Sequence, residues 1–363
     1  MEKQDVVNIT VIGVGGGGGN MINHMSQYSL FDINLVSANT DNQVLANAKG
    51  KIIQLGRTIT KGLGAGMKPE KGEQAAEESE AEIREVLKGS DIVFVTAGMG
   101  GGTGTGAAPV VSRIAKEVGA LTIAVITTPF KFEGRKRTKL ANQGIEILKG
   151  YADSLIVIPN ERLLQTVEKN LGIKESFQMV DSVLSRAVNG ISTVILGNGE
   201  ADINLDFSDF KTVMTHKGSS LMSIGASQGE DASTFALENA LTSALLDDVD
   251  ITGAMGALIH FEMNSEYSLV ELGASMEVIE DKISEDADVI FGTTINDQLA
   301  PDEVKVTVII SGIIDKEAEE EAEKEKNAIN NINVLKKPIA RLNMTARTEE
   351  EVLDIPTFLR ANS

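Results

Sequence analysis

Six of the nine residues from Gly98 to Gly106 are glycine, and the run lies between a strand-like stretch, Ile92–Ala97, and a helical one, Ala107–Val118. Glycine loses more backbone freedom on folding than any other residue. A plain strand-to-helix turn does not need six of them, so the backbone here must come close to something. At a helix start that something is a phosphate, since unpaired N–H groups and the helix dipole both favour an anion there. Thr103 and Thr105 add hydroxyls for a phosphate or a magnesium-bound water. The run holds no lysine, and the chain contains no G-x-x-x-x-G-K-[ST], so this is not a P-loop.

A second cluster, Gly13-Val14-Gly15-Gly16-Gly17-Gly18-Gly19-Asn20, follows the strand-like Val6–Val14 and precedes a helix read from Met21 onward. Gly13, Gly15 and Gly18 fit G-x-G-x-x-G, and Asp41 follows the second strand, so an NAD-type dinucleotide oxidoreductase is one reading. It leaves the Gly98–Gly106 run unexplained. A third segment, Gly62-Leu63-Gly64-Ala65-Gly66, could close over a terminal phosphate.

Apolar strands alternate with helices through the first half: Ile33–Ala38, the polar helix Glu70–Lys88, Ile92–Ala97, Ala107–Val118, Leu121–Thr127, Lys136–Leu148 and Ser154–Pro159. That pattern predicts an α/β fold with a parallel, Rossmann-like sheet covered on both faces, its ligand at the carboxyl ends of the strands. A long helix follows over Ile173–Ile195, with Val180, Val183, Leu184, Ala187, Val188 and Ile191 at i, i+3, i+4 spacing. Beyond a polar stretch, Gly197–Phe210, come a helix over Thr234–Leu246, a strand at Ala257–Met263, a helix over Leu269–Ile283, a short strand at Val289–Phe291 and a strand at Val304–Ile310. These predict a smaller α+β domain without a nucleotide site.

The net charge of −20 and the absence of a long basic stretch argue against nucleic-acid binding, which draws on cations to displace counterions. Aromatic residues make up 4% and tryptophan is absent, which disfavours base-stacking platforms. There are no cysteines, hence no disulfide or thiolate metal site. No basic leader and no apolar run of about 20 residues is found, so a soluble, cytoplasmic chain is expected. His24, His216 and His260 lack metal-site spacing and read as structural residues.

The run GGGTGTGAAPVVSRIAK resembles the glycine signature of the tubulin/FtsZ GTPase family in its bacterial cell-division, FtsZ form. VIGVGGGGGN, NTDNQVL, GLGAGMKPE, TPFKFEGRKR, NLDFSDFKTVM and the tail DIPTFLR stand in the order found in that family. The resemblance implies GTP or GDP as ligand, with Mg²⁺ held mainly by phosphates and water, and a tubulin-like fold. It implies phosphate contacts from Gly16, Gly17, Gly18, Gly19, Asn20, Gly102, Thr103 and Gly104. Glu133 and Arg137 would stand at the ribose, although their spacing alone suits a surface ion pair. Asn160, Phe177 and Asp181 would meet guanine: Phe177 by stacking, Asp181 by accepting from N1–H and the 2-amino group. Taken alone, Phe177 would be core. Asp206 and Asp209, with Asn204 alongside, would be catalytic and polarise the attacking water; unaided, they read as an acidic surface turn.

The long helix adds a constraint. At about 1.5 Å per residue it exceeds roughly 30 Å. If Phe177 and Asp181 at its head and Asp206 and Asp209 past its end both belong to active sites, the aspartates must enter a neighbour's pocket. Such a heterologous, head-to-tail contact propagates into a filament, and hydrolysis then depends on assembly.

The expected organisation is a GTP-binding domain (1–172), a central helix (173–196), a C-terminal GTPase-activating and assembly domain (197–315), an acidic linker (316–350) and a partner-binding peptide (351–363). Glu317, Glu319, Glu320, Glu321, Glu323 and Glu325 mark the linker; Leu353, Ile355, Phe358 and Leu359 make the tail a docking peptide. The resemblance implies that Asp354–Arg360 binds FtsA- or ZipA-like membrane tethers and regulators, that membrane contact is indirect, and that the filaments form the division (Z) ring at midcell. A tubulin-like filament protein outside division is the other alternative. Two departures from the family pattern, the longer Gly197–Asp202 segment and Ser223 where glycine is usual, bear on assembly rather than chemistry.

Overall fold

In the computed structural model, residues 7–28, 33–163, 172–196, 207–216, 218–243, 251–280 and 282–313 are described. All fall in the first of the chain's two units, Met1–Ile314; the second, Asp315–Ser363, with the linker and tail, lies outside the described residues.

The continuous apolar runs become buried strands: β1 (Ile9–Val14), β2 (Asn34–Asn39), β3 (Lys51–Gln54), β4 (Ile92–Gly98), β5 (Leu121–Thr128) and β6 (Ser154–Pro159). They lie parallel in the order β3-β2-β1-β4-β5-β6. Helices fill the crossovers: α1 (Gly15–Tyr28), the short α2 (Asn42–Leu45) and α3 (Arg57–Thr60), α4 (Pro69–Glu78), α5 (Glu80–Leu87), α6 (Thr103–Glu117) and α7 (Arg135–Lys149). The long polar helix read over Glu70–Lys88 is in fact two, because Ser79 leaves the helical conformation and its Oγ accepts from the Gly56 N–H at 3.0 Å.

The short α8 (Asn160–Leu163) precedes α9 (Ile173–Leu196), which is continuous for 24 residues, about 36 Å at the usual rise. Its apolar stripe, Val180, Val183, Leu184, Val188 and Ile191, is buried; the side chain of Ala187 is outside the described residues. Then come α10 (Phe207–Met214), β7 (Ser219–Gln228), α11 (Ala232–Leu241), β8 (Gly256–Met263), α12 (Leu269–Glu280), β9 (Asp288–Ile295) and β10 (Glu303–Ile313). These strands extend the sheet as β7-β10-β8-β9, joined to β6 through the pair Ile156–Ser220. A hydrogen bond between the Ser154 and Ser220 hydroxyls, 2.8 Å, closes that seam.

Three apolar cores result. One face of the parallel strands packs on α4 to α7. The other packs on α1 and α9, and its core runs on without a break to Phe210, Val213 and Met214 of α10, Met222 of β7 and Ile309 of β10. A third core lies under α11 and α12. The helix α9 is therefore the shared wall between the strands that carry the glycine loops and the C-terminal strands. Gly190 lets it close on β10, where a Cβ would stand 3.2 Å from the Thr307 methyl.

Candidate nucleotide site

Both glycine clusters lie at the carboxyl ends of the central strands, β1 and β4, and each opens a helix. The first helix begins at Gly15, not at Met21, so the glycines are its first turn rather than a loop before it. The second begins at Thr103, and Gly102 ahead of it gives no side-chain cap. The first N–H groups of both helices therefore lack intrahelical partners. Neither first turn holds an acidic residue, so the field there favours an anion.

The two loops support each other through close backbone contact. Gly15 has φ +75° and stands against Gly104, whose N a Cβ at Gly15 would meet at 2.9 Å. A Cβ at Gly17 would meet Gly98 at 3.1 Å, and one at Gly18 would run into the Thr96 carbonyl. Gly100, with φ +91°, lies on the Arg137 carbonyl, so α7 begins directly beside the second loop. The Gly62–Gly66 segment is placed here as well: a Cβ at Gly102 would meet Ala65 Cβ at 2.8 Å and Lys68 N at 2.9 Å. That segment is anchored just past the end of β2 by Gly64 N–H donating to the Thr40 carbonyl (3.1 Å).

These contacts explain most of the glycines. They do not explain Gly16, Gly19 or Gly101, where an added Cβ would meet nothing within 4 Å and φ is ordinary. Gly19 also sits inside a helix, where alanine is more stable by about 0.5–1 kcal/mol. A ligand lying on the backbone accounts for all three. The consequence can be measured. Gly19→Ala should leave the melting temperature unchanged or raised while nucleotide affinity falls about tenfold, near 1.4 kcal/mol. Gly18→Ala should instead lower stability by about 1–3 kcal/mol, as overpacking does. If Gly19→Ala bound nucleotide normally, no phosphate would lie on that turn.

The threonines divide their work. Thr105 is buried and its Oγ accepts from the Gly100 N–H (2.9 Å), so it closes the loop on itself and does not offer its hydroxyl outward, contrary to the expectation from sequence. Thr103 Oγ stays at the front of the loop, 2.7 Å from Thr40 Oγ. Thr40 was not picked out from the sequence; its signal, a threonine ending the strand beside a glycine-opened helix, is too common to read. Asp41 accepts from the Gln43 N–H (2.9 Å) as the cap of α2. That local role weakens the dinucleotide reading, which drew on Asp41 as well as on the glycines.

Comparison with known proteins now decides the family. Residues 8–168 match the model of the Tubulin/FtsZ family, GTPase domain, and residues 218–314 that of the FtsZ family, C-terminal domain. The solved structure of an empty FtsZ dimer from M. jannaschii is 43% identical, with a TM-score of 0.80 over 86% of this chain and 90% of that one. The chain belongs to the FtsZ family. More distant structures share the fold. A GTPγS-bound protofilament of CetZ2 from Haloferax volcanii is 19% identical, with a TM-score of 0.74 over 90% of this chain and 100% of that one. A GDP-bound CetZ1 monomer from the same organism is 20% identical, at 0.73 over 85% and 95%.

The other residues singled out in this FtsZ-family chain fall as follows. Gly16 and Asn20 are exposed on the first turns of α1. Glu133 and Arg137 form an ion pair across the start of α7, and Glu133 also accepts from the Phe130 N–H (2.9 Å). The surface-pair reading is thus realised, beside the loop rather than away from it. Asn160 opens α8, buried, and its Oδ1 has no hydrogen-bond partner among the described residues. A buried amide oxygen without a donor is costly, and a guanine N–H could satisfy it. Asp181 lies in the third turn of α9, and burial pushes its carboxyl up to about 7. The side chain of Phe177, and Asn204 and Asp206 entirely, lie outside the described residues. Asp209 is exposed in the first turn of α10, which is a helix where a turn was read.

Of the two departures, Gly197–Asp202 is outside the described residues, whereas Ser223 is buried in β7, its Oγ without a partner among the described residues. His216 faces Asp288 and His260 faces Thr294, each at 3.0 Å. Burial, and secondly the nearby Arg186 charge, hold the His24 pKa below its ordinary value. Among the described residues, no group of three or more His, Asp or Glu could hold a metal ion, and no helix is long and apolar enough to cross a membrane.

Proposed function

We propose that the chain binds and hydrolyses GTP and assembles head to tail, each pocket completed by the next subunit. The observation that carries the reading is the pair of interlocked, uncapped glycine helix starts with Gly16, Gly19 and Gly101 open. The α- and β-phosphates lie on Gly16–Asn20, and the terminal phosphate meets the N–H groups of Gly102–Gly104 and the Thr103 hydroxyl. The pair Glu133 and Arg137 holds the ribose, while Asn160, Phe177 and Asp181 read guanine. Among the described residues there is no carboxylate cage, so Mg²⁺ would be held by the phosphates and its own waters, where it would offset phosphate charge.

The length of α9 supports hydrolysis in trans. Some 24 residues of continuous helix separate the guanine-reading head from α10 with Asp209. In this reading Asp206 and Asp209, with Asn204, enter the neighbour's pocket and orient the attacking water. Residues 1–172, 173–196 and 197–315 divide the labour of binding, spacing and activation. The linker (316–350) carries the tail peptide (351–363) to FtsA- or ZipA-like tethers. The filaments form the cytoplasmic division ring at midcell and touch the membrane indirectly.

Sedimentation with GTP, GDP and NAD, run beside phosphate release, tests this. GTP with Mg²⁺ should pellet the protein, GDP much less and NAD not at all. Pelleting or turnover driven by NAD would restore the dinucleotide reading.

A further inference from the structure

Outside the nucleotide site, a groove of about 520 Å³ lies between α4, α6 and α7. Its floor is apolar: Pro109, Val110, Leu140, Ile147 and Tyr151. Ile147 is 56% exposed and Tyr151 39%, so the groove presents apolar surface to solvent. One wall carries Glu70, Glu73 and Glu77 of α4. Among the described residues none of these three pairs with a cation. The groove's one arginine, Arg113, is already met by Glu80 and Glu117 (3.1 and 2.7 Å). The groove therefore suits an apolar surface bordered by cations.

The chain carries such a surface on the same helix. The amino-terminal half of α7 presents Lys136 and Lys139, both exposed and without a salt bridge among the described residues. Lys136 shares a helix face with Leu140, Gln143 and Ile147 by i, i+4, i+7, i+11 spacing. The helix is thus basic in its first half and groove-lining in its second, over about 22 Å. Two copies with their α7 helices antiparallel place the basic half of each on the acidic groove of the other. A contact of this kind is two-fold and self-complementary.

The geometry points to this face as a lateral contact between two copies of the chain, in filaments running side by side. It rests on the filament reading above and deepens it. The helix α7 covers the face of the sheet opposite α9 and α10 through Ala141 and Leu148, so the groove lies away from the helix that carries Asp209. In a chain of net charge −20, other faces repel, which makes a local match of charge the feature that sets the pairing.

Charge reversal in the full chain tests it, with sedimentation at two speeds in GTP: high speed collects single filaments, low speed only bundles. Wild type should appear in the low-speed pellet. Lys136→Glu with Lys139→Glu, or Glu73→Lys with Glu77→Lys, should lose the low-speed pellet and keep the high-speed pellet and GTP turnover. Combining all four reversals should restore bundling. Bundling that survives either reversal, or a wild type that never bundles, would overturn the inference. So would a fourfold variant that stays unbundled, since the groove would then receive a different partner. Loss of the high-speed pellet in wild type would instead remove the filament reading itself.

Discussion

Asp209→Ala should bind GTP with unchanged affinity and yet turn it over about 10²–10⁴-fold more slowly, the range lost when a group that positions or polarises a reacting water is removed. Asp209 is exposed on the first turn of α10, and the buried side of that helix is Phe210, Val213 and Met214. Truncating the carboxylate leaves this packing alone. It removes only a favourable carboxylate at a helix start, about 0.3–1 kcal/mol. The fold and the pocket on the same subunit should therefore survive. Equilibrium binding of a fluorescent GTP analogue, measured beside phosphate release, separates the two effects. Loss of binding would mean that α10 belongs to its own subunit's pocket.

The second large effect concerns Asp181. Its half-buried carboxyl, with a pKa raised to about 7, costs the nucleotide-free fold stability once ionised. The sign follows from the shift: the folded state holds the proton more tightly than the unfolded chain. Stability is therefore highest below the ordinary carboxylate range and falls as pH rises towards 7, by at most about 1.4 kcal/mol per pH unit. In the proposed reading guanine reverses the balance, since its N1–H and 2-amino donors would need the ionised form. GTP affinity should be flat above pH 7 and fall about tenfold per pH unit below it. Asp181→Asn should stabilise the nucleotide-free protein at pH 8, weaken GTP about 100-fold through two charge-assisted bonds, and abolish the pH dependence. Calorimetric titrations across pH 5.5–8.5, about half a unit apart, check all three. A GTP affinity in the variant equal to wild type would remove Asp181 from base recognition.

What could be read in the sequence follows from where the signals are physical. Strands β1, β4, β5 and β6 are buried on both faces, so continuous apolar runs gave them away. The stripe on α9 was legible for the same reason. Strand β7 was not, because its buried positions include Ser220, Ser223 and Gly225; at Gly225 the strand touches the α11 backbone and no side chain fits. The start of α1 was misplaced because a helix opened by five glycines defies propensity. Helix α10 was missed although Phe210, Val213 and Met214 have helical spacing, since the acidic residues before them suggested a turn. In the site, the glycines announced a phosphate, but only the packing of one loop on the other separated glycines that serve the fold from those left open. The turned-in hydroxyl of Thr105 and the unpartnered Asn160 Oδ1 depend on tertiary contacts and leave no trace in residue order.

Central to this account is a pocket made by two subunits, and mixing two inactive variants tests it most directly. Asp209→Ala keeps a sound pocket and lacks the carboxylate to offer its neighbour. Asp181→Ala offers the carboxylate and binds GTP poorly. Phosphate release from an equal mixture, at a concentration where wild type polymerises, should rise well above the sum of the two alone. A mixture that gives only that sum would place Asp181 and Asp209 in the service of the same subunit and contradict the shared site.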